Sequence, residues 1–230
     1  MNQLKQKSLP KPVDALNLVY FADEISYRWY ELLLAPLVLA LGGRPVWVGI
    51  HEMSLSGDKQ ADEIVIIRYP THSTILRVIS SRYYSLVNGL RKKGVRYMEF
   101  SLTERQKASE LFREKGFSLL VHHNNQGNSE SSPLPEIQKT LESLSMRLIY
   151  ASRETATLSI FNSREPTDPN PSRYKNTAIF TFPKTLSPGN IINDDLLKNL
   201  KAVTESFSLQ VYRPLRYLEA MPWAKRNISG

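Results

Sequence analysis

Arg44–Met53 (RPVWVGIHEM) and Glu63–Tyr69 (EIVIIRY) decide the fold. Both runs are rich in Val and Ile, which suit a pleated surface, and the SLSGDKQAD between them supplies the Ser, Gly and Asp that close a turn. They read as an antiparallel strand pair. Upstream, Ala15–Phe21 (ALNLVYF) is another β-rich run, followed by a helix over Tyr27–Leu41 that Asp23 or Ser26 can cap and Gly42-Gly43 ends. Downstream, Ile75, Ile79, Tyr83, Leu86 and Leu90 recur every three or four residues in a helix from Ser73, with Arg91, Lys92 and Lys93 in its last turn and Gly94 as its stop. Val95–Leu102 (VRYMEFSL) closes a unit whose order is βαββαβ.

The same order then begins again. Thr103–Lys115 (TERQKASELFREK) reads as a connecting helix, Phe117–His123 (FSLLVHH) as a strand and Pro135–Leu144 as a helix with Ile137, Leu141 and Leu144 on one face. Met146–Phe161 and Thr177–Phe182 form the second strand pair, Asn193–Phe207 the second helix and Leu215–Met221 (LRYLEAM) the last strand. Three echoes support duplication: Arg68-Tyr69-Pro70 with Thr181-Phe182-Pro183, Arg44–Trp47 (RPVW) with Arg147–Tyr150 (RLIY), and Arg96-Tyr97-Met98-Glu99 with Arg216-Tyr217-Leu218-Glu219. The expected organisation is a lead-in over 1–14, repeat 1 over 15–102, a linker helix over 103–116, repeat 2 over 117–221 and a tail over 222–230.

A βαββαβ unit is ferredoxin-like, with both helices on one face of a four-stranded antiparallel sheet and the other face bare. Here Val65, Ile67 and Tyr69 alternate with Ile64, Ile66 and Arg68, and Val46, Val48 and Ile50 with Trp47, Gly49 and His51, so both faces are substantially apolar. Two such sheets packed face to face bury both. With Arg68-Tyr69-Pro70 at the end of one strand, Tyr83-Tyr84 in the helix after it and Arg91 beyond, the chain resembles the dimeric α/β-barrel superfamily and its small uncharacterised bacterial domains. The resemblance implies an α+β fold: tandem ferredoxin-like repeats packed sheet to sheet as an intramolecular barrel. It also implies a small-molecule site, used in different families for cofactor-free oxygenation, isomerisation or cyclisation, for haem chemistry, or for ligand binding alone. Fold analogy does not choose among them.

Candidate chemistry falls on strands of repeat 1. His51 shares a face with Trp47 and is a candidate acid or base, since free histidine titrates near neutrality. Arg68 projects on the Ile64–Ile66 side, where a guanidinium can stabilise an oxyanion, with an ion pair to Glu99 or Glu52 as its structural alternative. Tyr20, Tyr97 and Glu99 stand on neighbouring strands, where phenol and carboxyl groups donate, accept or relay protons. Matching the repeats sets Arg68 against Thr181, His51 against Glu154 and Tyr20 against His122, so a single site is expected in repeat 1. Its catalytic set is His51, Arg68 and Tyr20, and its ligand-binding set Trp47, Tyr97 and Glu99.

The 230 residues contain no Cys, which excludes a disulfide scaffold, a thiolate zinc site, an iron–sulfur cluster and a cysteine nucleophile. The four histidines show no metal-ligand spacing, and Gly42-Gly43 follows a helix without a phosphate-loop frame, so no metal, nucleotide or other cofactor is expected. A haem on one histidine is a minor alternative. Net charge +8 raises nucleic acid as a partner of another class. EIVIIRYP lacks the aromatic signature of RNA-recognition strands, so the excess reads as solvated surface. The basic N-terminus meets Pro10 and Pro12 instead of an apolar signal region. Leu32–Leu41 has about half the ~20 residues a membrane span needs and reads as buried helix. The expectation is a cytoplasmic monomer or homodimer that binds a small apolar or aromatic molecule, as a cofactor-independent enzyme or as a non-catalytic binding or interaction module.

Overall fold

The computed structural model describes residues 11–56, 61–108, 116–123, 133–161, 175–182, 194–203 and 207–215. The first half contains β1 (Val13–Phe21), α1 (Glu24–Ala40), β2 (Arg44–Ser56), β3 (Glu63–Tyr69), α2 (His72–Ile79), α3 (Arg82–Gly94) and β4 (Val95–Ala108). The second contains β5 (Ser118–His123), α4 (Leu134–Glu142), β6 (Arg147–Phe161), β7 (Asn176–Thr181), α5 (Asp194–Val203) and β8 (Phe207–Pro214). Each half is a four-stranded antiparallel sheet, ordered β4-β1-β3-β2 and β8-β5-β7-β6, and the pairings β2–β8 and β4–β6 close all eight strands into one barrel. The expected tandem α+β barrel is therefore the observed fold.

The barrel separates two kinds of core. Inside lie Leu16, Leu18, Tyr20, Trp47, Ile64, Ile66, Tyr97, Leu120, Ile149, Tyr150, Ile179 and Tyr212. Outside, Val13, Ala15 and Val19 of β1 pack under the repeat 1 helices, and Leu119, Val121, Leu209 and Val211 pack under α4 and α5. Alternation along the strands produces this division, since successive side chains point to opposite faces, and β-bulges in β2 and β6 shift it locally.

The two halves agree in register as well as in order. Arg44 pairs with Arg68 and Trp47 with Ile66 across a β-bulge, and Arg147 pairs with Thr181 and Tyr150 with Ile179 across an equivalent one. The amide of His51 donates to Asp62 O (2.9 Å) as that of Glu154 donates to Lys175 O (2.7 Å). RPVW and RLIY thus mark one structural position, and the matches of Arg68 with Thr181 and His51 with Glu154 hold. Two other matches move. Because Asp14 faces Arg68 as Ser118 faces Thr181, His122 corresponds to Leu18 and not to Tyr20. Leu16 pairs with Ser101 as Leu120 pairs with Gln210, so Ser208 takes the place of Glu99, and Arg216–Glu219 fall beyond the described residues.

Other expectations are corrected. Thr103–Ala108 is strand and not connecting helix: it continues β4, pairing with β6 and sending Thr103 and Arg105 to Asp14 of the neighbouring β1; 109–115 lie outside the described residues. The last described strand is Phe207–Pro214 instead of Leu215–Met221, of which 216–221 are not described. The helix read from Ser73 to Gly94 breaks into α2 and α3 at Ser80-Ser81, where the Ser81 hydroxyl accepts from the Tyr84 amide and caps α3. Asp23 caps α1. That helix is not buried all round: Ile25, Trp29, Leu33 and Leu39 are exposed.

Candidate functional site

Strands β1 to β4 carry most of the expected site residues to one end of the lumen. The Tyr20 and Tyr97 rings are 5.1 Å apart, and the Tyr97 hydroxyl donates to Glu99 Oε2 (3.1 Å). Trp47 lies over Gly49, whose missing side chain makes room for the indole, and meets the Tyr212 ring edge-on at 6.1 Å. The Trp47 Nε1 is buried and makes no hydrogen bond among the described residues. His51 stacks edge-on against Tyr212 at 5.5 Å, and the Tyr212 hydroxyl donates to Ala61 O (3.2 Å). Burial first, then the nearby phenols of Tyr212 and Tyr97 and the Glu99 carboxylate, raise the Tyr20 pKa far above the usual phenol range. Tyr20 is therefore a neutral hydroxyl at any working pH.

His51 is the half-buried member of this group. A bulge between His51 and Met53 shifts the alternation, so that Ser54 returns to the same face as His51. The His51 Nε2 lies 3.1 Å from Ser54 Oγ and 3.1 Å from Gln210 Oε1 of the second repeat. Gln210 and Ser54 carried no signal in the sequence, since neither belongs to a motif and their proximity depends on barrel closure.

Arg68 does not join this group. It pairs with Asp14, six residues from Tyr20 along β1, which is about 20 Å at ~3.3 Å per residue. Its partner is thus neither Glu99 nor Glu52; Glu52 pairs with Arg213. Buried Asp14 also receives Arg105 Nε (2.7 Å) and the Tyr150 hydroxyl (3.3 Å), a cluster that ties the two repeats together. Burial, with Asp14 adding to it, pushes the Tyr150 phenol up to about 12.

The second repeat presents a different wall. Ser118, His122, Ser152, Thr177, Ser208 and Gln210 face inward and are all buried. His122 Nδ1 lies 3.0 Å from Thr177 Oγ1, and burial, with a contribution from His123, lowers its pKa to about 3. The lumen therefore sets an aromatic cluster, Tyr20, Trp47 and Tyr97 of repeat 1 with Tyr212 of repeat 2, beside a neutral, hydrogen-bonding set of side chains from repeat 2.

Outside the barrel, α1 and β3 bury a charged cluster that the sequence reading missed. Arg28 binds Glu63, Glu31 and Glu24, with the Phe21 and Tyr27 rings against its guanidinium. Burial and the neighbouring Glu63 raise the Glu31 pKa well above the carboxylate range. The available signal was Glu24, Arg28 and Glu31 at helical spacing inside an apolar helix, with a glutamate opening the β-rich EIVIIRY.

Among the described residues no group of three or more His, Asp or Glu side chains is placed to hold a metal ion, and no helix is long and apolar enough to cross a membrane. No family model and no curated protein matches the sequence. Solved structures do match the fold. A candidate monooxygenase from Fusobacterium nucleatum superposes with a TM-score of 0.54 at 8% identity, covering 90% of this chain and 94% of that one. A mutant chlorite dismutase from Candidatus Nitrospira defluvii gives 0.53 at 8% identity, with 91% and 93% covered. An anthrone oxidase-like protein gives 0.52 at 10% identity, with 90% and 92% covered. The strand order, the closure and these superpositions agree: the chain has the dimeric α/β-barrel fold, with both halves of the barrel on one polypeptide.

Proposed function

We propose that the protein binds a flat, largely aromatic small molecule in the barrel lumen and acts on it by proton transfer without a cofactor, His51 serving as the base. One observation carries this reading: a half-buried histidine stands beside an inward aromatic wall of Tyr20, Trp47, Tyr97 and Tyr212. Aromatic faces bind flat apolar molecules, and the Tyr20, Tyr97 and Glu99 groups orient a polar edge. Arg68, paired with Asp14 at the far end, takes no part in the step assigned to His51. A cytoplasmic setting belongs to the same proposal and rests on the cysteine-free sequence. One chain supplies the whole barrel, so a monomer is sufficient for the site.

The fold neighbours described as anthrone oxidase-like and as a candidate monooxygenase suggest the probe. In the proposed reaction His51 removes a proton from the acidic CH2 of an anthrone, and the resulting enolate reduces O2. The methylene carbon loses both hydrogens and gains one oxygen, and the second oxygen leaves as water: anthrone + O2 → anthraquinone + H2O. General-base catalysis contributes roughly 10²–10⁴-fold. Anthrone oxidation followed by absorbance is expected to be catalysed by the wild type and to fall by that order in His51→Gln. Oxidation no faster than in buffer overturns the catalytic reading; tight binding without turnover favours the second reading, a ligand-binding module.

A further inference from the structure

The next inference rests on the reading of His51 as base and concerns which of its ring nitrogens takes the proton. Gln210 settles the matter from the opposite repeat. Its Nε2 lies 3.3 Å from the carbonyl oxygen of Ser56, which can only accept, and 2.9 Å from Ser208 Oγ. This contact fixes the amide nitrogen toward Ser56 and Ser208, and so turns Oε1 toward His51 and Ser54. Ser54 Oγ is 2.6 Å from Oε1, and since an amide oxygen has no hydrogen, the single hydroxyl hydrogen of Ser54 points there. His51 Nε2 then faces two acceptors at 3.1 Å: an amide oxygen, and a hydroxyl whose hydrogen is already committed. An unprotonated Nε2 would set its lone pair against that of Oε1.

We infer that His51 is held as the Nε2–H tautomer, that Nδ1 is the atom that accepts the proton, and that Gln210 is its positioning residue. A neutral amide cannot itself take a proton, so Gln210 acts by fixing the tautomer and the ring plane. The base therefore belongs to repeat 1 and its orientation to repeat 2, and neither half of the barrel is complete alone.

The test reads the tautomer directly, with no ligand present. Long-range ¹H–¹⁵N correlation of ¹⁵N-histidine-labelled protein, at a pH where the imidazole is neutral, is expected to show His51 with a protonated Nε2 and an unprotonated Nδ1. His51→Gln identifies the signals by their loss. Removing the amide in Gln210→Met is expected to shift both nitrogens toward the averaged values of two exchanging tautomers, while Gln210→Glu, which keeps an acceptor, retains the wild-type pattern. An Nδ1–H tautomer in the wild type, or an unchanged pattern in Gln210→Met, overturns the inference. If Gln210→Met does not fold, the wild-type spectrum alone decides, and exposed Ser54→Ala is expected to keep Nε2–H through Gln210. A protein with the Nε2–H tautomer that neither binds nor oxidises anthrone overturns the proposed function alone. One with Nδ1–H that oxidises anthrone overturns this inference alone.

Discussion

Trp47 and Tyr150 occupy the same place in the two repeats. Each follows a β-bulge, each pairs with an inward isoleucine, Ile66 or Ile179, and each ring enters the lumen. Their surroundings have diverged: Tyr150 bonds to Asp14 and lies 3.3 Å from Thr103 Oγ1, whereas Trp47 meets Tyr212, which stands where Thr103 stands in the other half. A pseudo-symmetric frame thus holds one polar and one aromatic site.

Gly49 makes the aromatic site possible. A Cβ there would run into the Trp47 indole, so Gly49→Ala forces the ring to move. The expected cost is about 1–3 kcal/mol of stability in urea unfolding, with a shifted tryptophan emission. Unchanged stability and emission would mean that the indole does not lie over Gly49.

Two glycines of α3 separate close packing from mere helix propensity. A Cβ on Gly94 would sit 2.5 Å from the Tyr27 backbone nitrogen, whereas one on Gly89 meets nothing within 4 Å. Gly94→Ala is expected to pry α1 from α3 and lower stability, while Gly89→Ala gains up to ~1 kcal/mol from better helix propensity. Opposite signs in parallel melts support the α1–α3 contact, and equal signs contradict it.

His122 links stability to acid. Its folded pKa of about 3 lies below the ordinary 6.5, so between these values the unfolded chain binds a proton that the folded one does not. Stability contributed by His122 is therefore complete above 6.5 and lost as pH falls toward 3. In His122→Asn the difference between urea midpoints measured at about pH 4.5 and about pH 7.5 is expected to shrink. An undiminished difference would show that His122 titrates alike in both states.

Arg28 holds the charged cluster beneath α1 together. Arg28→Met leaves Glu63 buried against Glu31 without a cation and is expected to cost about 3–5 kcal/mol. The double variant Arg28→Met/Glu63→Leu removes the stranded charge as well and is expected to recover part of that loss. If the double variant is no more stable than the single, Glu63 is not a stranded charge in the absence of Arg28, contrary to the expectation.

Legibility followed polarity. Where the lumen wall is apolar, strand alternation showed the faces, and Trp47, His51 and Arg68 all point inward as their positions in β2 and β3 implied. Where the wall is polar the pattern was disguised. Thr103 and Arg105 alternate inward between Glu104 and Gln106, a charged run that reads as helix until Asp14 is seen to receive two of its members. Ser208 and Gln210 hid β8 in the same way, since inward polar residues every second position resemble a loop. The candidate site suffered further because its contacts cross repeats. Gln210 and Tyr212 reach His51 through a pairing between residues some 160 positions apart, which no local pattern records.

The central claim is that ligand enters the lumen beside Trp47. The most direct measurement is a titration of the protein with anthraquinone, the proposed product, followed by the three tryptophan indole N–H signals in ¹H–¹⁵N spectra. A saturable shift is expected of the Trp47 signal, whose Nε1 makes no hydrogen bond among the described residues, with the exposed Trp29 signal unmoved. A Trp47 signal that stays fixed while ligand binds, or a shift confined to Trp29, would contradict it.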